Sequence, residues 1–283
     1  MNREILLEPG ENSFFSVDLQ EKMVSETVSI FYHPNNKQIA EDILKNERKH
    51  IMFLNQFYKV NLSPEIIFFL YPSKESMEEA FKRPLPHAQC CFVPIKGDVS
   101  LVTLTALISS KSLNQIMIHE TSHIFFHILT GNYEVDNISQ VMPLWLEEGL
   151  ALYLDSRYRE DMQKIIANRL KMLNENNTDY FPDLMDLYTY FNRLDEHQEF
   201  GPKGQMAYAY SFFCVTRLIY SYGIDNVVTF IKALDPEKNI NEMFFSFFKL
   251  PLSHFNETIK KLVLNADERM VENFYKENFK NVD

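Results

Sequence analysis

Cysteine is scarce in this chain. There are three in 283 residues, Cys90, Cys91 and Cys214. An odd number with two adjacent members does not make a disulfide framework, and it points to a reducing compartment. Adjacent thiols also suit a metal poorly, because thiolate sites space their ligands along a turn. Two small buried hydrophobes are the expected role for Cys90 and Cys91.

Positive charge is short as well, since 28 Lys and Arg face 39 Asp and Glu for a net charge of -11. The basic residues are scattered among acids, as in 46-NERKH-50 and 158-YREDMQK-164. They form none of the stripes that a phosphate backbone requires, so nucleic acid is not expected as a partner. Long apolar runs are missing too. Neither 66-IIFFLY-71 nor 242-EMFFSFF-248 has the length to cross a bilayer, so no membrane partner is expected. The beginning, MNREILLEPGENSFF, lacks the basic end and apolar core of a signal peptide. A cytoplasmic location is the expectation. There is no internal repeat and no low-complexity segment.

What is present suffices for a large core. The hydrophobic fraction is 46%, enough for one large domain or two smaller ones. Residues 26–34 read as a strand, 36–58 as a helix with Ile39, Ile43, Leu44, Ile51, Leu54 and Phe57 at helical spacing, and 64–73 as a buried strand. A short helix over 74–81, a turn region and one or two strands reaching to 108 follow, so this part looks α/β. Beyond about residue 112 the pattern turns helical: 114–131 with Gly131 as its stop, 143–160 opened by Pro143, and 205–223, 226–234, 240–249 and 254–265. The stretch 171–204 is the least regular and reads as a connection or as the border of a groove. The expected organisation is an N-terminal α/β region, 1–112, and a helical region, 113–283, which together can form one compact catalytic unit.

The strongest local feature is His119-Glu120-Thr121-Ser122-His123, an HExxH motif. On a helix, residues i and i+4 stand one above the other, so both imidazoles can face one metal ion. Glu120, about 100° round the axis, can reach a water held at that ion without itself being a ligand. It can then take the water's proton and pass it to a departing amine. Zinc suits imidazole plus carboxylate with one position open. Thr121 and Ser122 read as helix filler.

Two histidines do not complete a site. His127 lies on the same face, but three successive turns do not converge easily on one ion, so it reads as a core or supporting histidine. Position 126 is Phe and position 129 is Leu, so the HExxHxxGxxH pattern is absent. The better third ligand lies in 145-WLEEGLA-151. With Leu146, Leu150 and Tyr153 facing the core, Glu148 projects towards the HExxH helix and Gly149 permits close packing. Glu147 stays as the alternative.

HETSH followed by WLEEGLA resembles the gluzincin branch of zinc peptidases, in particular the peptidase MA-like domain. Aminopeptidases of that branch carry WLNEGFA, whose glutamate before glycine binds zinc, and the matching residue here is Glu148. The strand–helix–strand unit of 26–71 and the aromatic helix ending in Tyr222-Gly223 are similar to that family as well. The resemblance implies an α+β fold of thermolysin/gluzincin type. It consists of a small N-terminal α/β region with a twisted, mostly antiparallel sheet, a mainly helical C-terminal region, and a zinc site in the cleft between them.

It further implies zinc-dependent hydrolysis of peptide bonds in a peptide or protein substrate. Glu120 would be the general base, and a tyrosine would steady the oxyanion. Tyr208 occupies the matching place, with Tyr210 as the alternative. Some gluzincins place an acid four residues after the metal glutamate. Here that position is Leu152, and Asp155, seven residues after Glu148 and on the same helical face as it, is the candidate for that role. The GxMEN motif of the branch's aminopeptidases is absent from the corresponding segment, 99-VSLVTLTALIS-109, which points away from that specificity. A strand there could pair with an extended substrate. The alternative function is a regulatory zinc-binding domain of the same fold, without turnover, acting through protein interactions.

Overall fold

The computed structural model describes residues 18–81, 90–94, 99–105, 110–131, 143–159, 161–175, 184, 187, 202–235, 237–265 and 268–278. Its N-terminal part is a five-stranded sheet of β1 (Glu21–Val24), β2 (Val28–Tyr32), β3 (Glu65–Tyr71), β4 (Cys90–Pro94) and β5 (Val99–Thr105), in the order β1-β2-β3-β5-β4. Helices α1 (Lys37–Tyr58) and α2 (Lys74–Phe81) accompany it.

The sheet departs from the mostly antiparallel pattern expected. Its two outer pairings, β1 with β2 and β4 with β5, are antiparallel, but the two central ones, β2 with β3 and β3 with β5, are parallel. The reason is the 22-residue α1 between β2 and β3. A helical crossover of that length returns the chain to the end from which β2 began, so β3 must run parallel to it. Ile66–Tyr71 of β3 are all buried, as a strand covered on both faces requires. That is why the segment reads as a continuous apolar run rather than an alternating one.

From Ser110 onward the described chain is helical: α3 (Ser110–Thr130), α4 (Leu144–Asp155), α5 (Met162–Glu175), α6 (Pro202–Tyr222), α7 (Ile224–Lys232), α8 (Ile240–Phe248), α9 (Leu252–Leu264) and α10 (Glu268–Asn278). Two of these, α5 and α10, and the short β1 have no counterpart among the expected elements. The stretch expected to be irregular from 171 begins inside α5. The apolar face of α5, with Met162, Ile166, Leu170 and Leu173 buried, does keep helical spacing. Strand β1 has only four residues and is largely exposed, so it carries no burial pattern to read. The remainder of 176–201, residues 132–142, and the side chains of Cys90 and Cys91 lie outside the described residues. Cys214 is buried.

Two glycines have steric reasons. Gly131 takes φ +66° at the end of α3, where a residue with a Cβ would be strained. Gly149 lies where α4 meets α6: a Cβ there would stand 2.3 Å from the Ser211 carbonyl oxygen and 2.6 Å from Val215 Cγ2. On its other side α4 packs against α3. Helix α3 is tied to α1 by the stacked rings of Tyr58 and Phe125, whose centroids are 5.8 Å apart. Among the described residues, no helix is long and apolar enough to cross a membrane.

Candidate metal centre

The HExxH motif lies wholly within α3, and the WLEEGLA segment forms most of α4. The cluster they build sits between the sheet-bearing N-terminal part and the helical C-terminal part. One turn of α3 separates His119 from His123, and their ring centroids are 5.0 Å apart. Across the helix interface, Glu148 Oε2 is 3.6 Å from His119 Nε2 and 3.8 Å from His123 Nε2. One ligand atom from each of His119, His123 and Glu148 falls within 4.8 Å of the others, a grouping that can hold a metal ion.

Each imidazole is aimed from behind. The Nδ1 of His123 is 2.7 Å from Glu147 Oε1 and that of His119 is 3.4 Å from Asp155 Oδ2. An ionised carboxylate offers no proton, so each Nδ1–H donates and each Nε2 is left to present its lone pair towards Glu148. Glu147 also receives His127, whose Nε2 lies 3.1 Å from the same oxygen. Asp155 is gripped in turn by Arg159, with Nε 2.8 Å from Oδ1 and Nη2 2.9 Å from Oδ2. Access divides the carboxylates: the Glu148 side chain is 13% exposed beside His119 at 17%, while Glu147 is 6% and Asp155 3% exposed. Glu148 and His119 can therefore meet a solute, whereas the other two acids are sealed behind the rings.

The charges follow this geometry. Burial presses the His119 pKa down, but the hydrogen bond to Asp155, the carboxylate of Glu148 beside its Nε2 and the charge of Glu120 outweigh it and push the value up to about 10. His123 is raised against the same burial by Glu148 and Glu147. Burial works to raise Glu147 and Asp155 too, yet both lie below their ordinary values. For Glu147 the hydrogen bonds from His123 and His127 prevail, and for Asp155 those from His119 and Arg159. The same negative field that favours the charged form of each imidazole would favour a dication in place of a proton at the Nε2 atoms.

Glu120 follows His119 and is buried. Tyr208 reaches the site from α6, its hydroxyl 3.5 Å from Glu148 Oε1. Tyr210, two residues on, turns away: it is fully buried and its hydroxyl donates 2.8 Å to Asn256 Oδ1 in α9. The structure thus brings Tyr208 to the cluster and not Tyr210. It also separates the two adjacent glutamates, with Glu148 facing both Nε2 atoms and Glu147 clasping His123 and His127 from behind.

Two features escaped the sequence reading. One is the shared grip of Glu147 on two histidines. Its signal was an acid pair in an apolar helix beside a histidine at i+8 from His119. The other is a buried polar contact on another side of α3. Thr121 is more than helix filler: its hydroxyl is 2.8 Å from Glu47 Oε1 of α1, and His50 Nδ1 lies 3.5 Å from Glu47 Oε2. The signal there was Glu47 and His50 on the face of α1 that also buries Ile43, Ile51 and Leu54.

The strand expected within 99–109, where a substrate could pair, is β5, and it is interior, bonded to β3 on one side and β4 on the other. Among the described strands the outer one on that side is β4, against which α3 packs.

The His119-Glu120-x-x-His123 pair with the distal Glu148, in a mixed α+β fold, matches the gluzincin, peptidase MA-like arrangement. The histidine–glutamate cluster with Tyr208 bonded to Glu148 is consistent with a catalytic hydrolytic site and supports an enzyme. No protein-family model matches the chain, and a search of curated proteins finds no match.

Proposed function

We propose that the protein is a zinc-dependent hydrolase of peptide bonds. The observation that carries this reading is Glu148 Oε2, a buried oxygen with no hydrogen-bond partner among the described residues, aimed between the Nε2 atoms of His119 and His123. A buried acceptor left in that state is costly. An ion held by His119, His123 and Glu148 would satisfy all three lone pairs together. Tetrahedral zinc at ligand distances of about 2.0–2.1 Å spaces its donors roughly 3.3 Å apart, near the 3.6 and 3.8 Å that separate Glu148 Oε2 from the two Nε2 atoms. Two imidazoles and a carboxylate also suit zinc better than calcium or magnesium, which favour all-oxygen shells.

Zinc, when bound, supplies Lewis acidity, lowering the pKa of water towards neutrality and polarising a carbonyl. The remaining chemistry belongs to the chain. Glu120 takes the proton of the attacking water and delivers it to the departing amine. The Tyr208 hydroxyl, 3.5 Å from Glu148 Oε1, can donate to the oxygen on which charge develops. Asp155 and Glu147 keep both imidazoles in the tautomer that faces the site.

Among the described strands β4 is the outer one, with which an extended peptide would pair through backbone hydrogen bonds. The regions 1–112 and 113–283 act as one catalytic unit, since α3, which carries the motif, already starts at Ser110 and packs on both β4 and α4. A cytoplasmic setting suits a chain of three cysteines without a disulfide framework.

The test is to incubate zinc-loaded protein with a diverse peptide library, map cleavage, and run Glu120→Gln beside it after confirming its zinc content. Cleavage by the parent alone is expected. Identical product profiles from the two proteins would sink the peptidase reading.

A further inference from the structure

Away from the metal centre, the described residues enclose a half-open cleft of about 310 Å³ between α1, the end of α4, α5, α7 and α10. Its size is at the lower end of the roughly 300–1,000 Å³ usual for small-molecule sites. Phe53, Phe57, Tyr153 and Tyr275 supply apolar walls, and Arg157 and Arg159 supply positive charge. The two arginines stand differently. Arg159 is committed to Asp155 through two hydrogen bonds. Arg157 lies over the Phe53 ring, 3.8 Å from its centroid, is exposed, and has no carboxylate partner among the described residues. Stacking of this kind holds a guanidinium in place without using its in-plane N–H donors. A fork of donors so fixed beside aromatic walls is complementary to an anion with an apolar body.

We propose that this cleft is a binding site for a small aromatic or branched aliphatic carboxylate, with the carboxylate on Arg157 and the body against the aromatic walls. Its occupant would sit one ion pair from the metal centre, because Arg159 lines the cleft and also grips the Asp155 that holds His119. Arg157 touches neither and is the residue to vary.

The test is calorimetric titration of zinc-loaded protein with 3-phenylpropionate and N-acetylphenylalanine, and with their uncharged counterparts 3-phenylpropanol and N-acetylphenylalaninamide. Saturable binding of at least one acid is expected, with no comparable binding of its uncharged counterpart. Arg157→Gln should weaken it by about tenfold or more at unchanged melting temperature and zinc content, and Arg157→Lys by less. Binding of N-acetylphenylalanine alone identifies a peptide C-terminus as the occupant, and binding of both identifies a free acid; either supports the site. Three outcomes overturn it: no saturable binding of either acid, equal binding of the uncharged counterparts, or acid binding that Arg157→Gln leaves intact, which would place the probe elsewhere, for example on the metal.

Discussion

Helix α3 meets a buried glutamate on two of its sides, and the two contacts differ in one respect. Towards α1, Glu47 is closed off: Thr121 satisfies one of its oxygens and His50 faces the other. The ring of Tyr158 stands edge-on to His50 at 5.6 Å. Towards α4, Glu147 is held by His123 and His127, both on Oε1, but its neighbour Glu148 keeps a buried oxygen without a hydrogen-bond partner among the described residues. Histidine and glutamate occur in both places, so residue type does not tell a structural contact from a site. The difference is satisfaction. A group whose lone pairs are all used holds the fold, and one whose lone pairs converge on a shared gap is arranged for something else.

That comparison can be broken by experiment. The largest effect belongs to Glu120→Gln, which should lower turnover by about 10²–10⁴-fold while zinc content stays at the parent's level, as elemental analysis would show. Tyr208→Phe should lower kcat by about 10²–10³-fold, whereas Tyr210→Phe, whose hydroxyl serves Asn256, should leave kcat at the parent's value and reduce the melting temperature. Equal kinetic losses in the two would remove Tyr208 from the chemistry.

Glu147→Gln should weaken zinc by about 10–100-fold in a chelator competition, because it releases the orientation of His123. Glu47→Gln is the smallest and the sharpest contrast. It should cost about 1–3 kcal/mol of stability in denaturant unfolding and leave zinc affinity unchanged. A zinc defect in Glu47→Gln as large as that in Glu147→Gln would mean that the two sides of α3 are not separate.

Much of this was legible beforehand, for reasons that can be named. The long helices announced themselves by periodicity and by their stops, as with Gly131 after α3. The juxtaposition of His119 and His123 follows from helix geometry alone, since four residues make about one turn. The parallel centre of the sheet was not legible, because strand order depends on which way each crossover folds, and β4 enters the order after β5. Helix α5 was overlooked although Ile166, Leu170 and Leu173 repeat at helical spacing. Its polar face and the irregular stretch beyond it hid the pattern.

By itself the sequence determined the local geometry of this protein: two imidazoles on one face of α3, a glutamate beside them, and an acid pair before a glycine on a second helix. Those relations lie within single helices, where the backbone fixes every angle. Only the tertiary structure decided how the acid pair divides, with Glu148 turned to the front of the histidines and Glu147 to their back. It also brought Asp155 to His119, Tyr208 to Glu148, and Glu47 to Thr121. The angle between α3, α4 and α6 sets these contacts. It depends on how closely the helices approach, and at Gly149 that is close enough to exclude a single methyl group.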